Sequence, residues 1–180
     1  MNVVEIIGGE EDRRIMQALR RSIGSRLPVG WLEQRRWSLP QQEPALLVAD
    51  LAHPCGVDGA KPLILLKERL DDFQTLRLPS CLGIVVASDN LAALQFLAES
   101  RLPAITCGLS PHDTLTLTII TEETAVAALQ RSLPCWDGTS ADPMELPVEM
   151  SAPVDRYSLL CCAAVLGVSG LLPQLRQLRL

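Results

Sequence analysis

A chain of 180 residues, 48% hydrophobic and 21% charged, has the length and composition of one globular domain and is not a disordered segment. Its formal net charge of −5 excludes a general nucleic-acid binder. With only three Trp, two Phe and one Tyr, the core has to be built from Leu, Val, Ile and Ala.

The chain opens with an apolar run, Val3 to Ile7, interrupted by Glu5, which reads as a first strand. Gly8 and Gly9 follow, then Glu10, Glu11 and Asp12. Ile15, Met16, Leu19 and Ile23 then recur at helical spacing, which predicts a helix from Arg13 to Ile23 stopped by Gly24. Residues 25 to 44, rich in Arg, Gln, Pro and Trp, read as a connection containing one strand or sheet edge. The segment from Arg20 to Trp37, which includes the end of that helix, gathers Arg20, Arg21, Trp31, Arg35, Arg36 and Trp37 as a candidate partner surface, since arginines beside aromatics grip anionic groups.

Four short apolar runs come next: "ALLVADL", "PLILLKERL", "LGIVVASD" and "PAITCGLS". Runs apolar on both faces suit a parallel sheet covered by helices on each side. Between the last two lies a helix capped by Asp89 or Asn90, with Leu91, Leu94, Phe96, Leu97 and Ala98 expected inward. Strand, helix, strand at this spacing is a right-handed crossover. "TLTLTII" (114 to 120) alternates as a half-exposed strand does. The segment beyond it reads as an antiparallel hairpin around Asp137-Gly138 and "ELPVEM", with a short helix at "EETAVAALQRS" as the alternative. Residues 155 to 168 form a better helix, and the tail "LLPQLRQLRL" is amphipathic. The fold expected is α/β: a single three-layer Rossmann-like, P-loop-like domain over 1–180, with a mostly parallel sheet and a C-terminal antiparallel hairpin.

The most apolar stretch, Leu159 to Leu172, lacks charge but is shorter than the roughly 20 residues that span a bilayer and reads as a buried helix, so no membrane partner is expected. The N-terminus shows no charged segment leading into an apolar one, which points to a cytoplasmic location. Six cysteines lie without a CxxC pair and only His53 and His112 supply imidazole, so neither a metal site nor disulfides are expected.

In an open parallel sheet, ligands bind beyond the carboxyl ends of the strands, which puts Gly8 to Asp12 at the crevice. A phosphate loop needs GxxxxGK[ST], with Lys to neutralise phosphates and Ser or Thr to hold magnesium. Here two glycines are followed by three carboxylates and no Lys, Ser or Thr before Ser22. In the first turn of a helix each carboxylate is worth about 0.3–1 kcal/mol against the helix dipole, and each would repel polyphosphate. The crevice is assigned Gly8, Gly9, Asp50, His53, Asp89 and Asn90, with Cys55 as a candidate reactive thiol beside His53. Ser110, His112 and Asp113 lie too close together for a triad and read as turn chemistry.

The order of these pieces resembles the central, ATP-binding domain of the Mur ligases and their folylpolyglutamate synthase relatives. "VVEIIGGEEDRRIMQALRRSIG" stands where the family has a strand, GTNGKTT and a helix, and "LLVADLAHP" presents Asp50 where the family closes a strand with an acidic residue. "LGIVVASDNLAALQFLAESRLPAITCGLSPHDTLTL" is similar to the family's "G.vvlNaDDp" strand, helix and "vitfGls..aDv" strand. "ELPVEMSAPVDRYSLLCCAAVLGV" resembles the strand leading into its "HNxxNalAAia" helix.

The departures fall on function. Glu10 to Asp12 replace the phosphate-binding Lys and Thr, no His stands near Asp71 and Asp72, Ala87 replaces an Asn, and Asp155, Arg156 and Tyr157 occupy the "HN" region. The resemblance therefore implies neither ATP nor magnesium as cofactor. Separate N-terminal substrate and C-terminal amino-acid-binding domains are not expected either. The residues point to a non-catalytic domain acting through a protein partner, a second copy of itself or a small ligand in the vestigial crevice. The alternative is a small cytoplasmic enzyme using Asp50, His53 and Cys55 for a reaction without ATP.

Overall fold

The computed structural model describes residues 1–172 apart from 25, 35, 71, 74 and 122, together with the backbone of 178–179. Arg35 of the candidate partner surface, Asp71, and most of the amphipathic tail lie outside the described residues.

The apolar runs form the strands expected of them. β1 (Asn2–Ile7) leads to α1 (Arg14–Ser22), and β2 (Val29–Glu33) and β3 (Arg36–Ser38) occupy the connection, two strands where the sequence suggests only one strand or edge. β4 (Leu46–Leu51), β5 (Leu63–Leu66) and β6 (Gly83–Ala87) precede α2 (Leu91–Glu99) and β7 (Ala104–Gly108). β8 (Leu115–Ile120) and β9 (Thr124–Leu129) pair antiparallel, so the composition of 124–129 does not make a helix. β10 (Leu133–Pro134) and β11 (Ser140–Ala141) form their own small hairpin, its turn closed by Gly138 at φ +84°. β12 (Met144–Glu149), α3 (Arg156–Val168) and β13 (Leu178–Arg179) complete the chain.

The main sheet runs β13-β12-β9-β8-β7-β6-β5-β1-β4-β2-β3, parallel from β2 through β8. One face carries α1 and α3 over Val4, Ile6, Val48, Leu65 and Val85, and the other carries α2 over Ile7, Ile64, Leu66, Ile84 and Val86. α3 is apolar all round and buried at every position but Arg156, as befits a helix enclosed by its neighbours. Asp155 starts it by accepting the Ser158 amide at 2.9 Å.

Three local expectations are corrected. α2 buries Ala93 and Leu97, but Leu91 is 73% exposed and Ala98 is also exposed, because this short helix shows the sheet a narrow stripe. β8 does not alternate: Leu115 to Leu117 are buried, Thr118 to Ile120 exposed, and the register slips between Leu117 and Ile119. α1 begins at Arg14, so Glu10, Glu11 and Asp12 precede it rather than filling its first turn. Among the described residues no helix is long and apolar enough to cross a membrane.

Candidate functional site

Strand order reverses around β1. On one side of it lie β4, β2 and β3, which the chain lays down from β2 and β3 inward to β4, and on the other the chain builds outward through β5, β6 and β7. Such a switch point opens a crevice at the carboxyl ends of the strands. Register places Ile7 beside Leu51 of β4 and Leu66 of β5, so the next residue, Gly8, lies between the ends of both neighbours.

A cation occupies that position from below. Lys67 directly follows β5, and its side chain is 1% exposed. Its Nζ donates to Asp50 Oδ1 at 2.6 Å and to the Gly9 carbonyl at 2.7 Å. The stem packs under Gly8, where a Cβ would stand 2.8 Å from Lys67 Cβ. Burial pushes the Asp50 carboxyl above its ordinary pKa, and the hydrogen bond and charge of Lys67 pull it the other way. Neither the glycine pair nor the missing phosphate-loop Lys points to this residue. Its sequence signal is a lysine closing the wholly apolar "PLILL", in a chain with two lysines and fourteen arginines.

Three amides of this segment are engaged within the protein. Gly8 N–H donates to Leu51 O (3.2 Å), Asp12 N–H to Gly9 O (3.2 Å) and Arg14 N–H to Asp12 Oδ1 (3.2 Å). Asp12 also receives the Arg14 guanidinium at 3.0 and 2.7 Å, which holds its carboxyl below the ordinary value. Arg14 reaches on to Glu68 at 2.9 Å and Asp155 at 3.9 Å, tying the loop to the end of β5 and the start of α3. A phosphate-binding loop converges N–H groups on an anion. This loop aims a carbonyl at a cation.

His53 and Cys55 do not form a pair. His53 is exposed and has no hydrogen-bond or ionic partner among the described residues. Cys55 Sγ instead donates to Glu5 Oε1 (3.3 Å), which also accepts Gly56 N–H (3.0 Å). Glu5 is fully buried, and its Oε2 has no partner among the described residues. Burial and the adjacent carboxylate push the Cys55 thiol above its ordinary pKa, the opposite of what a nucleophile needs. Alkylation of Cys55 at pH 7 is therefore expected to be slower than that of a free thiol. Glu5→Gln is expected to speed it, as followed by mass spectrometry of the labelled chain.

The remaining crevice residues divide. Asn90 is structural: its Oδ1 caps α2 at Ala93 N–H (3.0 Å), while its Nδ2 donates to the carbonyls of Glu68 (3.2 Å) and Leu70 (3.1 Å). Asp89 is exposed and lines a hollow of about 400 Å³ with Ser88, Gly108, Ser110 and Arg156. Asp113 Oδ2 accepts Ser88 Oγ (3.1 Å) and Ser110 N–H (3.0 Å), while His112 stays exposed, so this trio is turn chemistry. Tyr157 Oη lies 2.6 Å from Leu66 O and 3.2 Å from Val85 O, fixing α3 to the end of β5 and the middle of β6. A larger crevice of about 1220 Å³ continues past Glu68, Arg156 and Tyr157 to Ile120 and Met150.

The candidate partner surface also splits. Trp31 is 7% exposed in the core, covered by the Arg20 guanidinium 4.6 Å from its ring. Arg20 is held by Glu33 at 2.7 Å. Arg21 and Arg36 are exposed, and Trp37 is 57% exposed. Among the described residues no group of three or more His, Cys, Asp or Glu is placed to hold a metal ion.

Over nearly its whole length the chain superposes on solved structures of Mur ligases. The fold is Mur ligase-like. UDP-N-acetylmuramate:L-alanyl-gamma-D-glutamyl-meso-diaminopimelate ligase from Neisseria meningitides is 13% identical, with a TM-score of 0.55 over 93% of this chain and 61% of that one. MurF from Thermotoga maritima, solved with ADP, is 14% identical, with a TM-score of 0.52 over 96% and 45%. MurF from Acinetobacter baumannii is 12% identical, with a TM-score of 0.56 over 99% and 46%. At such identities the Mur ligase likeness is one of fold, and this chain spans about half to three fifths of those proteins' length. No protein-family model matches the sequence, and no curated protein matches it.

Proposed function

We propose that this chain is a non-catalytic Mur ligase-like domain with a degenerate phosphate loop, acting in the cytoplasm by binding a small ligand or a protein partner. The observation that carries the reading is the Lys67 ammonium, held by Gly9 O and Asp50 beneath a loop whose Gly8, Asp12 and Arg14 amides already have acceptors. These groups do not fit a nucleotide polyphosphate. Lys67 has no free donor direction toward solvent at 1% exposure, and carboxylates line the mouth of the loop. Nor does the geometry of His53 and Cys55 lend support to the enzyme alternative. The binding region is the crevice from Asp89 and Arg156 to Ile120, which the loop does not fill.

Thermal unfolding with and without millimolar Mg-ATP tests this. No shift is expected. A ligand at 100 times its dissociation constant adds about 2.7 kcal/mol, which for a chain this size raises the midpoint by about 5–11 °C. A rise of that size that depends on magnesium would overturn the proposal.

A further inference from the structure

We propose that the outer edge of β3 is a docking strand for an extended acidic segment of a partner protein. β3 ends the sheet and pairs only with β2 among the described residues. Edge strands are usually covered, charged or interrupted because their free backbone groups recruit other strands. β3 is only three residues long and carries the charged Arg36, yet it also presents Trp37 at 57% exposure, with Leu39 just past its end at 64%. Isolated exposed apolar residues are commonplace, but these two lie next to an open backbone edge.

Charge selects the occupant. A hollow of about 410 Å³ beside β3 is lined by Arg13, Arg20, Glu33, Arg36, Trp37 and Ser38. Glu33, the one carboxylate, is already taken by Arg20 at 2.7 Å. Arg13 and Arg36 have no ionic partner among the described residues. This is a basic patch on a chain of formal net charge −5. Carboxylates of an added strand would meet the two free guanidiniums while its apolar side chains cover Trp37 and Leu39. A second copy would bring an identical basic edge against this one, and nucleic acid would be repelled by the rest of the surface.

Docking at this edge is independent of the glycine loop: Mg-ATP reports on Gly8 to Asp12, whereas peptide binding reports on residues 36–39. The probe is a capped peptide of about six residues alternating Val and Glu, the length of an ordinary strand, with a Val-Lys peptide as control. The Val-Glu peptide is expected to bind the full chain, to slow amide exchange at 36–39, and to bind more weakly as salt is raised. Arg13→Glu with Arg36→Glu is expected to weaken it by about tenfold or more and to admit the Val-Lys peptide. Trp37→Ser, which leaves the charges in place, is expected to weaken binding as well. No binding, equal binding by the charge-reversed variant, or binding without protection at 36–39 would overturn the proposal. So would self-association abolished by Trp37→Ser, which would make a second copy the occupant.

Discussion

Lys67→Met is expected to cost about 3–5 kcal/mol at pH 7, because it strands the Asp50 carboxylate in a site where that side chain is 9% exposed. The thermal midpoint should fall by about 6–20 °C. Lys67→Arg should also be costly: the planar guanidinium is bulkier than an ammonium and has no room beneath Gly8, whose Cα region already touches the lysine stem. Lys67→Met with Asp50→Leu should recover much of the loss, since removing both charges is far milder than removing one.

The pH dependence has a definite sign. Asp50 is raised in the native protein, so its protonation favours folding: that contribution is full below its unfolded value near 3.8 and is lost as pH rises through the folded value. Lys67 lowers the Asp50 value, and Lys67→Met removes that influence and moves it further up. The extra cost of the variant is thus present above this higher value and shrinks as acid protonates Asp50. Urea midpoints at neutral and mildly acid pH would show it. A difference from wild type that is small at pH 7, or grows in acid, would mean that Lys67 and Asp50 are not coupled as the 2.6 Å contact indicates.

The sheet is legible in the sequence because its strands are buried on both faces and so are written as unbroken apolar runs: "LILL" and "GIVVA" are buried at every position. The crossover through α2 follows from length and the Asn90 cap. Less legible is everything set by a partner distant in sequence. Trp31 and Trp37 look alike in composition, yet one is core and the other an exposed edge, because only pairing between β2 and β4 puts Trp31 inside. Cys55 stands near His53 in the chain but turns to Glu5, fifty residues away. Lys67 escapes a motif search because a phosphate-loop lysine is sought after the glycines, whereas this one enters the same space from the neighbouring strand.

Gly8→Ala and Gly9→Ala should have unequal effects, and the inequality tests what the glycine pair is for. Gly8 sits at φ +144°, a region that favours glycine, and its missing Cβ leaves room for Lys67, whose Cβ and Cδ would be 2.8 and 3.0 Å away. Strained backbone and forced overpacking cost about 1–3 kcal/mol each, so Gly8→Ala should lose about 2–6 kcal/mol. At Gly9 the backbone has no positive φ, and the three atoms nearest an added Cβ all belong to the carboxylate end of Glu11, an exposed side chain that can swing away. Gly9→Ala should therefore cost less than about 1 kcal/mol. In a loop built to bring backbone up to a phosphate, the exposed glycine at its mouth would be the restricted one for binding. Here the restricted glycine is the buried one, and what approaches it is a lysine of the protein itself. Denaturant midpoints of the two variants decide the matter. Gly9→Ala as the more damaging change, or Gly8→Ala without effect, would show that the turn is not shaped around Lys67.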